Sequence, residues 1–180
     1  MEAKMKKSKM VVVALMMALL AVTGAFAQNV ASDVHVDKGD MMVLGGIGYW
    51  WGGFGVSGGV ELMLQKFNIP GFPLTMGVMA LADLGFNGSG VGLSAAGMAT
   101  LHWGLKAYKE LPEFLQKFDW YLGLGVGAGI IPFGIGISSG GGTSYYFSDK
   151  LAIDAHSFYV YEFGGGGSDV GATIGIRLKL

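Results

Sequence analysis

From residue 41 to residue 180 the chain alternates apolar residues with small or polar ones, segment after segment. The last stretch, 169–180, shows this most cleanly. Val170, Ala172, Ile174, Ile176, Leu178 and Leu180 are apolar, and Gly171, Thr173, Gly175, Arg177 and Lys179 separate them. A period of two held that long predicts a strand with one greasy face and one wet face. Seven earlier segments repeat it. The first, 41–50, puts Val43, Ile47 and Tyr49 on one face and Gly46 and Gly48 on the other. The second sets Phe54, Val56, Val60, Leu62 and Leu64 against Ser57, Glu61 and Gln65. The third sets Leu74, Met76, Val78, Ala80, Ala82, Leu84 and Phe86 against Thr75, Gly77 and Asp83. In the fourth, Val91, Leu93, Ala95, Leu101, Trp103 and Leu105 oppose Ser94, Thr100 and His102. The fifth, 120–130, alternates aliphatic residues with Gly123, Gly125, Gly127 and Gly129, and the sixth, 133–147, carries mostly Gly and Ser on its second face. The seventh sets Leu151, Ile153, Ala155, Tyr159 and Tyr161 against Asp154 and His156.

The links predict turns at 51–53, 66–71, 87–90, 148–150 and 164–167, where Gly, Pro, Asn, Asp and Ser gather. Residues 106–119 carry both charge signs and Pro112 and predict a surface loop with one helical turn. Eight strands with short links predict an all-β fold, an eight-stranded antiparallel up-and-down transmembrane β-barrel.

Composition separates this from a soluble sheet. The chain has 33 glycines, is 52 % hydrophobic and only 14 % charged. The longest stretch without charge, 120–148, is broken by Pro132 and by glycine at nearly every second position. Glycine disfavours helix by about 1 kcal/mol per position against alanine, so no spanning helix forms there. A closed barrel is the other structure that satisfies every backbone group in lipid. The start of the chain supplies the export route. Lys4, Lys6, Lys7 and Lys9 precede an apolar run, and Ala25-Phe26-Ala27 has the small–x–small form of a cleavage site. Residues 1–27 are expected to be a cleaved signal peptide, 28–40 a polar periplasmic lead-in and 41–180 the barrel. Four of the 12 basic residues and one of the 13 acidic ones lie in that signal, which leaves 8 and 12, a net charge of −4. No basic stripe points to nucleic acid, and an exported chain without cysteine does not rely on disulfides.

Threading the barrel from an inward-facing amino terminus sorts the aromatics into two levels. Tyr49, Phe54, Phe86, Phe133, Tyr159, Tyr161 and Phe163 fall near the outer rim, and Phe67, Phe72, Trp103, Trp120, Tyr145 and Phe147 near the inner one. Two such girdles are what a barrel in a bilayer shows.

The run Tyr145-Tyr146-Phe147-Ser148-Asp149-Lys150-Leu151-Ala152 is similar to the aromatic–Ser/Thr-Asp-x-Leu-Ala turns that enter the penultimate strand of outer-membrane barrels. With the eightfold alternation, the chain resembles the small barrels of the OmpA transmembrane-domain and OmpX-like, porin-like group of Gram-negative envelopes, over nearly all of its mature length. The resemblance implies an outer-membrane location, outer-membrane lipid and the barrel-assembly machinery as partners, a monomer, and no cofactor. Such barrels usually end on an aromatic residue, whereas this chain ends on Leu180. Its outer links are also shorter than those of adhesins.

Glu61, Gln65, Asp83, His102, Asp154, His156, Arg177 and Lys179 all fall on the wet faces and form the expected interior polar network. The lumen of an eight-stranded barrel is filled by side chains, and buried charges have to pair. Arg177 is expected to meet Asp154, with Glu61 as a second partner. Two outcomes follow: a satisfied plug, or ion pairs that switch partners and pass small solutes. The glycines of strands five and six leave one wall bare, which Met63, Met98, Phe158 and Tyr121 either fill or leave as a channel for small hydrophobic compounds. An enzyme acting on lipid is the remaining alternative. His156 and Ser157 are adjacent and point to opposite faces, so no catalytic residue is expected. The scattered histidines lack metal-ligand spacing, and the glycine runs precede no helix that would cradle a phosphate.

Overall fold

The alternating segments pair in chain order, each antiparallel to the last, and the eighth returns to the first to close a ring. The computed structural model describes residues 33–50, 52–69, 72–131, 133–163 and 168–180; the signal segment and residues 28–32 lie outside them. The strands are β1 (Met41–Trp50), β2 (Gly53–Ile69), β3 (Phe72–Asn87), β4 (Gly90–Gly104), β5 (Phe118–Ile131), β6 (Gly134–Tyr146), β7 (Leu151–Glu162) and β8 (Ser168–Lys179). Closure runs from Met42 opposite Lys179 to Trp50 opposite Gly171. No strand edge is left open, so the backbone of the ring satisfies itself.

Facing follows the pleat. Leu122, Leu124 and Val126 of β5 are 73, 64 and 69 % exposed, while Met42, Glu61 and Arg177 on the inner faces are almost completely covered. The inversion is general: the apolar side chains form the outer belt, and the buried set includes Glu61, Asp83, His102, Asp119, Asp154 and Arg177. That suits a hydrocarbon surround and would be untenable in water. Among the described residues no helix is long and apolar enough to cross a membrane.

The barrel has two unlike ends. At the end remote from the described termini, Asp33 and Leu180, β3 and β4 are joined by Gly88 and Ser89 alone, and Gly52, with φ of 80°, sits in the β1–β2 link. Tyr49, Phe54 and Phe86 lie side by side there across three strands. At the termini end, Trp103 stacks on Phe72 and meets Trp120, and Tyr145 meets Phe118 and Phe147. The longest described link also lies there: a 3₁₀ turn (Leu105–Ala107) and one α-helical turn (Glu113–Gln116) between β4 and β5.

The sequence-based expectation needs correcting in three places. Strand β2 runs on to Ile69, so the link to β3 is shorter than 66–71. A β-bulge between Met63 and Gln65 makes Leu64 the extra residue and reverses the facing beyond it. Gln65 consequently lies exposed, its Nε2 donating to the Lys66 carbonyl, and does not belong to the interior. Leu105 is not in a strand and does not face lipid. It is buried in the 3₁₀ turn with Ala107 and Tyr108, against Trp103 and Phe118.

Residues 33–40 are not a free tether. They form a strap across the termini end, with Val34, His35 and Val36 buried and Val36 packed on Met42, Met63, Tyr146 and Ala152.

Glycine is needed where a ring fills the lumen. A Cβ on Gly171 would collide with the Trp50 indole, whereas one on outward-facing Gly97 meets nothing within 4 Å. Gly171→Ala is therefore expected to destabilise the barrel by about 1–3 kcal/mol through overpacking. Gly97→Ala should be close to neutral. Urea unfolding in detergent micelles checks the contrast.

Candidate functional site in the barrel lumen

Alternation places the wet face of every strand inward, and in the half of the lumen nearer the termini those residues meet as one lattice. Arg177 of β8 donates from Nη1 to Glu61 Oε2 of β2 at 2.7 Å, and its Nη2 lies 3.5 Å from Asp154 Oδ2 of β7. The guanidinium sits 4.3 Å above the Tyr121 ring. Tyr121 in turn donates its hydroxyl to Asp154 at 2.9 Å and stacks on His102. His102 has its Nε2 2.9 Å from Glu61 and its Nδ1 2.6 Å from Asp119, an arrangement that the two N–H groups of an imidazolium serve. Thr100 donates to Glu61, and Ser144 donates to Asp154. His156 joins on the other side, with Nδ1 3.3 Å from Asp154 Oδ1 and Nε2 2.9 Å from the Thr173 hydroxyl. Thr173 is in turn bonded to Ser57. Six strands thus contribute to one hydrogen-bonded cross-section.

Of the residues singled out in the sequence, Glu61, His102, Asp154, His156 and Arg177 come together here. Lys179 serves the strap instead, donating to the His35 carbonyl at 2.7 Å and pairing with Asp40 at 2.8 Å. Asp83 is buried opposite Ser57 in the β2–β3 ladder, at the edge of the lattice, and its Oδ2 has no hydrogen-bond partner. Asp119 and Tyr121 were missed as lattice members. The charges of 106–119 place Asp119 in a loop by sequence, yet it holds the same phase as Tyr121 and Gly123 and belongs to β5. The aromatics Tyr49, Phe54, Phe86, Trp103, Trp120, Phe133, Tyr145, Phe147, Tyr159 and Tyr161 all lie on the outer surface, wholly or half exposed.

The strap closes the lattice from below. His35 lies flat on Tyr146, with ring centroids 4.3 Å apart and planes 3° from parallel, and its Nε2 donates to the Gln116 carbonyl at 2.7 Å. Thr75 donates to the Val36 carbonyl. Around the rim, Lys66 pairs with Asp37, Lys106 and Lys109 with Asp33, and Lys179 with Asp40. Burial holds the His35 imidazole below its ordinary pKa of 6.5, and nearby Lys106 adds to this; the Gln116 carbonyl and the carboxylates of Asp119 and Asp33 oppose it.

The bare glycine wall is filled from neighbouring strands. A Cβ on Gly123 would touch Met98, one on Gly127 would touch Val160 and Ser138, and one on Gly125 would strike the Gly97 carbonyl. Phe158 stacks on Trp50, and Met63 lies over Gly77 at the termini end rather than on this wall. Thr173, His156 and Asp154 follow the order hydroxyl, imidazole, carboxylate. The Thr173 oxygen, however, is 2.9 Å from Nε2 and 3.4 Å from Nδ1, off the axis of either nitrogen and deep in the lumen. Ser157 is exposed on the outer wall. Among the described residues no group of three or more His, Cys, Asp or Glu is placed to hold a metal ion.

Two outcomes follow. Arg177→Met removes the one arginine that Glu61 and Asp154 share, leaving them only His102 and His156, and is expected to lower stability by about 3 kcal/mol. Adding Glu61→Gln should cost less than the sum of the two changes, as a urea double-mutant cycle in micelles would show. For His35 the sign is set by its lowered pKa: the unfolded chain binds the proton more readily. Its contribution is full above about pH 6.5 and fades as pH falls through the lower folded value. His35→Gln should flatten the stability–pH curve in that window.

No family model matches the sequence, and no curated protein matches it. Solved structures do. The N-terminal β-barrel domain of Pseudomonas aeruginosa OprF is 12 % identical, with a TM-score of 0.59 over 79 % of this chain and 98 % of that one. The outer membrane enzyme PagL is 10 % identical, also with a TM-score of 0.59, over 78 % of this chain and 99 % of that one. At these identities the likeness is one of fold. Closed ring, apolar exterior and polar filled lumen agree with it: the chain has the fold of the small eight-stranded outer-membrane β-barrels.

Proposed function

We propose that the protein is a non-conducting, non-enzymatic barrel of the outer membrane whose role is structural, supporting the integrity of the membrane it spans. The observation that carries this reading is the lattice around Arg177. It ties six strands across the lumen, and the strap and its lysine–aspartate pairs back it. A pore needs a continuous wet path, and here the path is occupied by side chains bonded to one another. Partner-switching would require Arg177 to leave Glu61, Asp154 and the Tyr121 ring, which hold it together, and this disfavours the gate. The filled glycine wall likewise disfavours a channel for hydrophobic compounds.

The chemistry required of an enzyme also lacks support. Ser157 faces lipid, His156 faces the lumen, and Thr173 is shut inside with no room for an acyl substrate. The resemblance to PagL is therefore carried by the scaffold. In this reading the termini and the long β4–β5 link face the periplasm and the short hairpins face outward. The protein is a monomer surrounded by outer-membrane lipid and inserted by the barrel-assembly machinery.

Planar-bilayer recording of the refolded mature chain tests it. The expected result is a silent membrane, with discrete conductance arising only when the lattice is cut by Arg177→Ala together with Glu61→Ala. Steady stepwise conductance from the unaltered protein would contradict the plug.

A further inference from the structure

Asparagine occurs at positions 29, 68 and 87, and only the last precedes a glycine. Asn29 and Asn68 precede Val30 and Ile69, whose branched side chains crowd the peptide nitrogen that follows each asparagine. Gly88 has no Cβ, so its nitrogen is unshielded on that side. The pair stands at the tip of the β3–β4 hairpin. Asn87 faces Gly90 in the ladder, and Gly88 and Ser89 form the turn between them.

The fold leaves this pair open. Gly88 and Ser89 are exposed and Asn87 is half-buried. A Cβ on Gly88 would meet nothing within 4 Å. The Ser89 N–H donates to Asn87 Oδ1 at 2.7 Å. In such a turn the asparagine side chain bends forward over the next peptide instead of away from it. That sets the carboxamide carbon Cγ beside the Gly88 nitrogen. The same hydrogen bond polarises the carboxamide and stabilises negative charge that builds on Oδ1 when a nucleophile adds to Cγ.

We propose that Asn87 is a self-modification site, converted to aspartate and isoaspartate through a cyclic imide with Gly88. The Gly88 nitrogen gives its proton to hydroxide and bonds to Cγ, while Oδ1 takes up the charge against the Ser89 N–H. The centre then collapses, the Cγ–Nδ2 bond breaks, and Nδ2 leaves as ammonia after taking a proton from water. A water molecule opens the ring. Attack at the backbone carbonyl carries the main chain through Cγ, one carbon longer, as isoaspartate. Attack at Cγ restores the ordinary backbone with an aspartate side chain. In sum, water replaces ammonia, and no oxidant or cofactor takes part. Either product adds a carboxylate to the hairpin tip, and the longer main chain disturbs the Asn87–Gly90 pairing.

The test ages the refolded mature chain in micelles, in mildly alkaline buffer made with water enriched in heavy oxygen. Digestion in ordinary water and peptide mass mapping follow, so conversion during handling stays unlabelled. Labelled aspartate and isoaspartate confined to the peptide that holds Asn87 are expected. Gly88→Ala should slow the conversion several-fold. Its methyl meets nothing and Gly88 does not hold a positive φ, so this variant folds as the parent does, which its heat-modifiable gel migration checks. A urea-unfolded sample gives the rate of the free chain. A folded barrel that keeps Asn87 intact while the unfolded chain converts would overturn the proposal. So would equal labelling at Asn68, or an unchanged rate in Gly88→Ala. The hairpin lies at the opposite end from the Arg177 lattice, so the plug stands or falls separately.

Discussion

In hydrocarbon a backbone amide has no partner except another part of the chain, and this requirement governs the rest of the molecule. Closure of β8 on β1 meets it: every strand has two neighbours and no edge remains. Once the ring is closed, the alternation of each strand has only one workable sense, apolar outward. The consequence is a lumen lined with carboxylates, hydroxyls, an arginine and imidazoles, in a space too narrow for bulk water to solvate them. Those groups have to partner one another, and the lattice centred on Arg177, Glu61, His102 and Asp154 is where most do so, with Arg177 Nε and Nη2 and Asp119 Oδ1 left without a hydrogen bond. Membrane fit and plugging are thus two results of one constraint.

The two halves of the lumen meet that demand differently. Near the termini, opposite charges are matched within the chain, and the strap adds a lid built from Val34, His35 and Val36. In the other half, small residues and the Trp50–Phe158 stack provide the packing.

Much of this was legible in the residues. The period of two marks all eight strands, and the partnership of Arg177 with Asp154 and Glu61 follows from their phase and position along the strands. What escaped has identifiable causes. The bulge after Met63 sends Gln65 outward, and nothing in the local residue types announces an inserted position there. Asp119 was concealed by the charged loop before it, although its phase was correct. The strap reads as a polar lead-in because its three aspartates dominate. Only the folded mouth shows that Val34 and Val36 are a core and that the aspartates meet four lysines distant in sequence. The missing hydrogen bond at Asp83 Oδ2 is equally hidden, since facing says which side of a strand a residue takes and not whether a donor waits across the lumen.

Facing along β8 alternates strictly, and its inward positions are sealed. Because the chain contains no cysteine, single cysteines can be placed one at a time along β8, from Val170 to Leu178, in the barrel refolded into lipid bilayers. Spin labels at these sites then report accessibility to a lipid-soluble and to a water-soluble relaxing agent. The account predicts strong lipid contact at Val170, Ala172, Ile174, Ile176 and Leu178, with the intervening positions shielded from both agents. Water access at Thr173, Gly175 and Arg177 alike would mean an open lumen, and a period other than two would contradict the barrel itself.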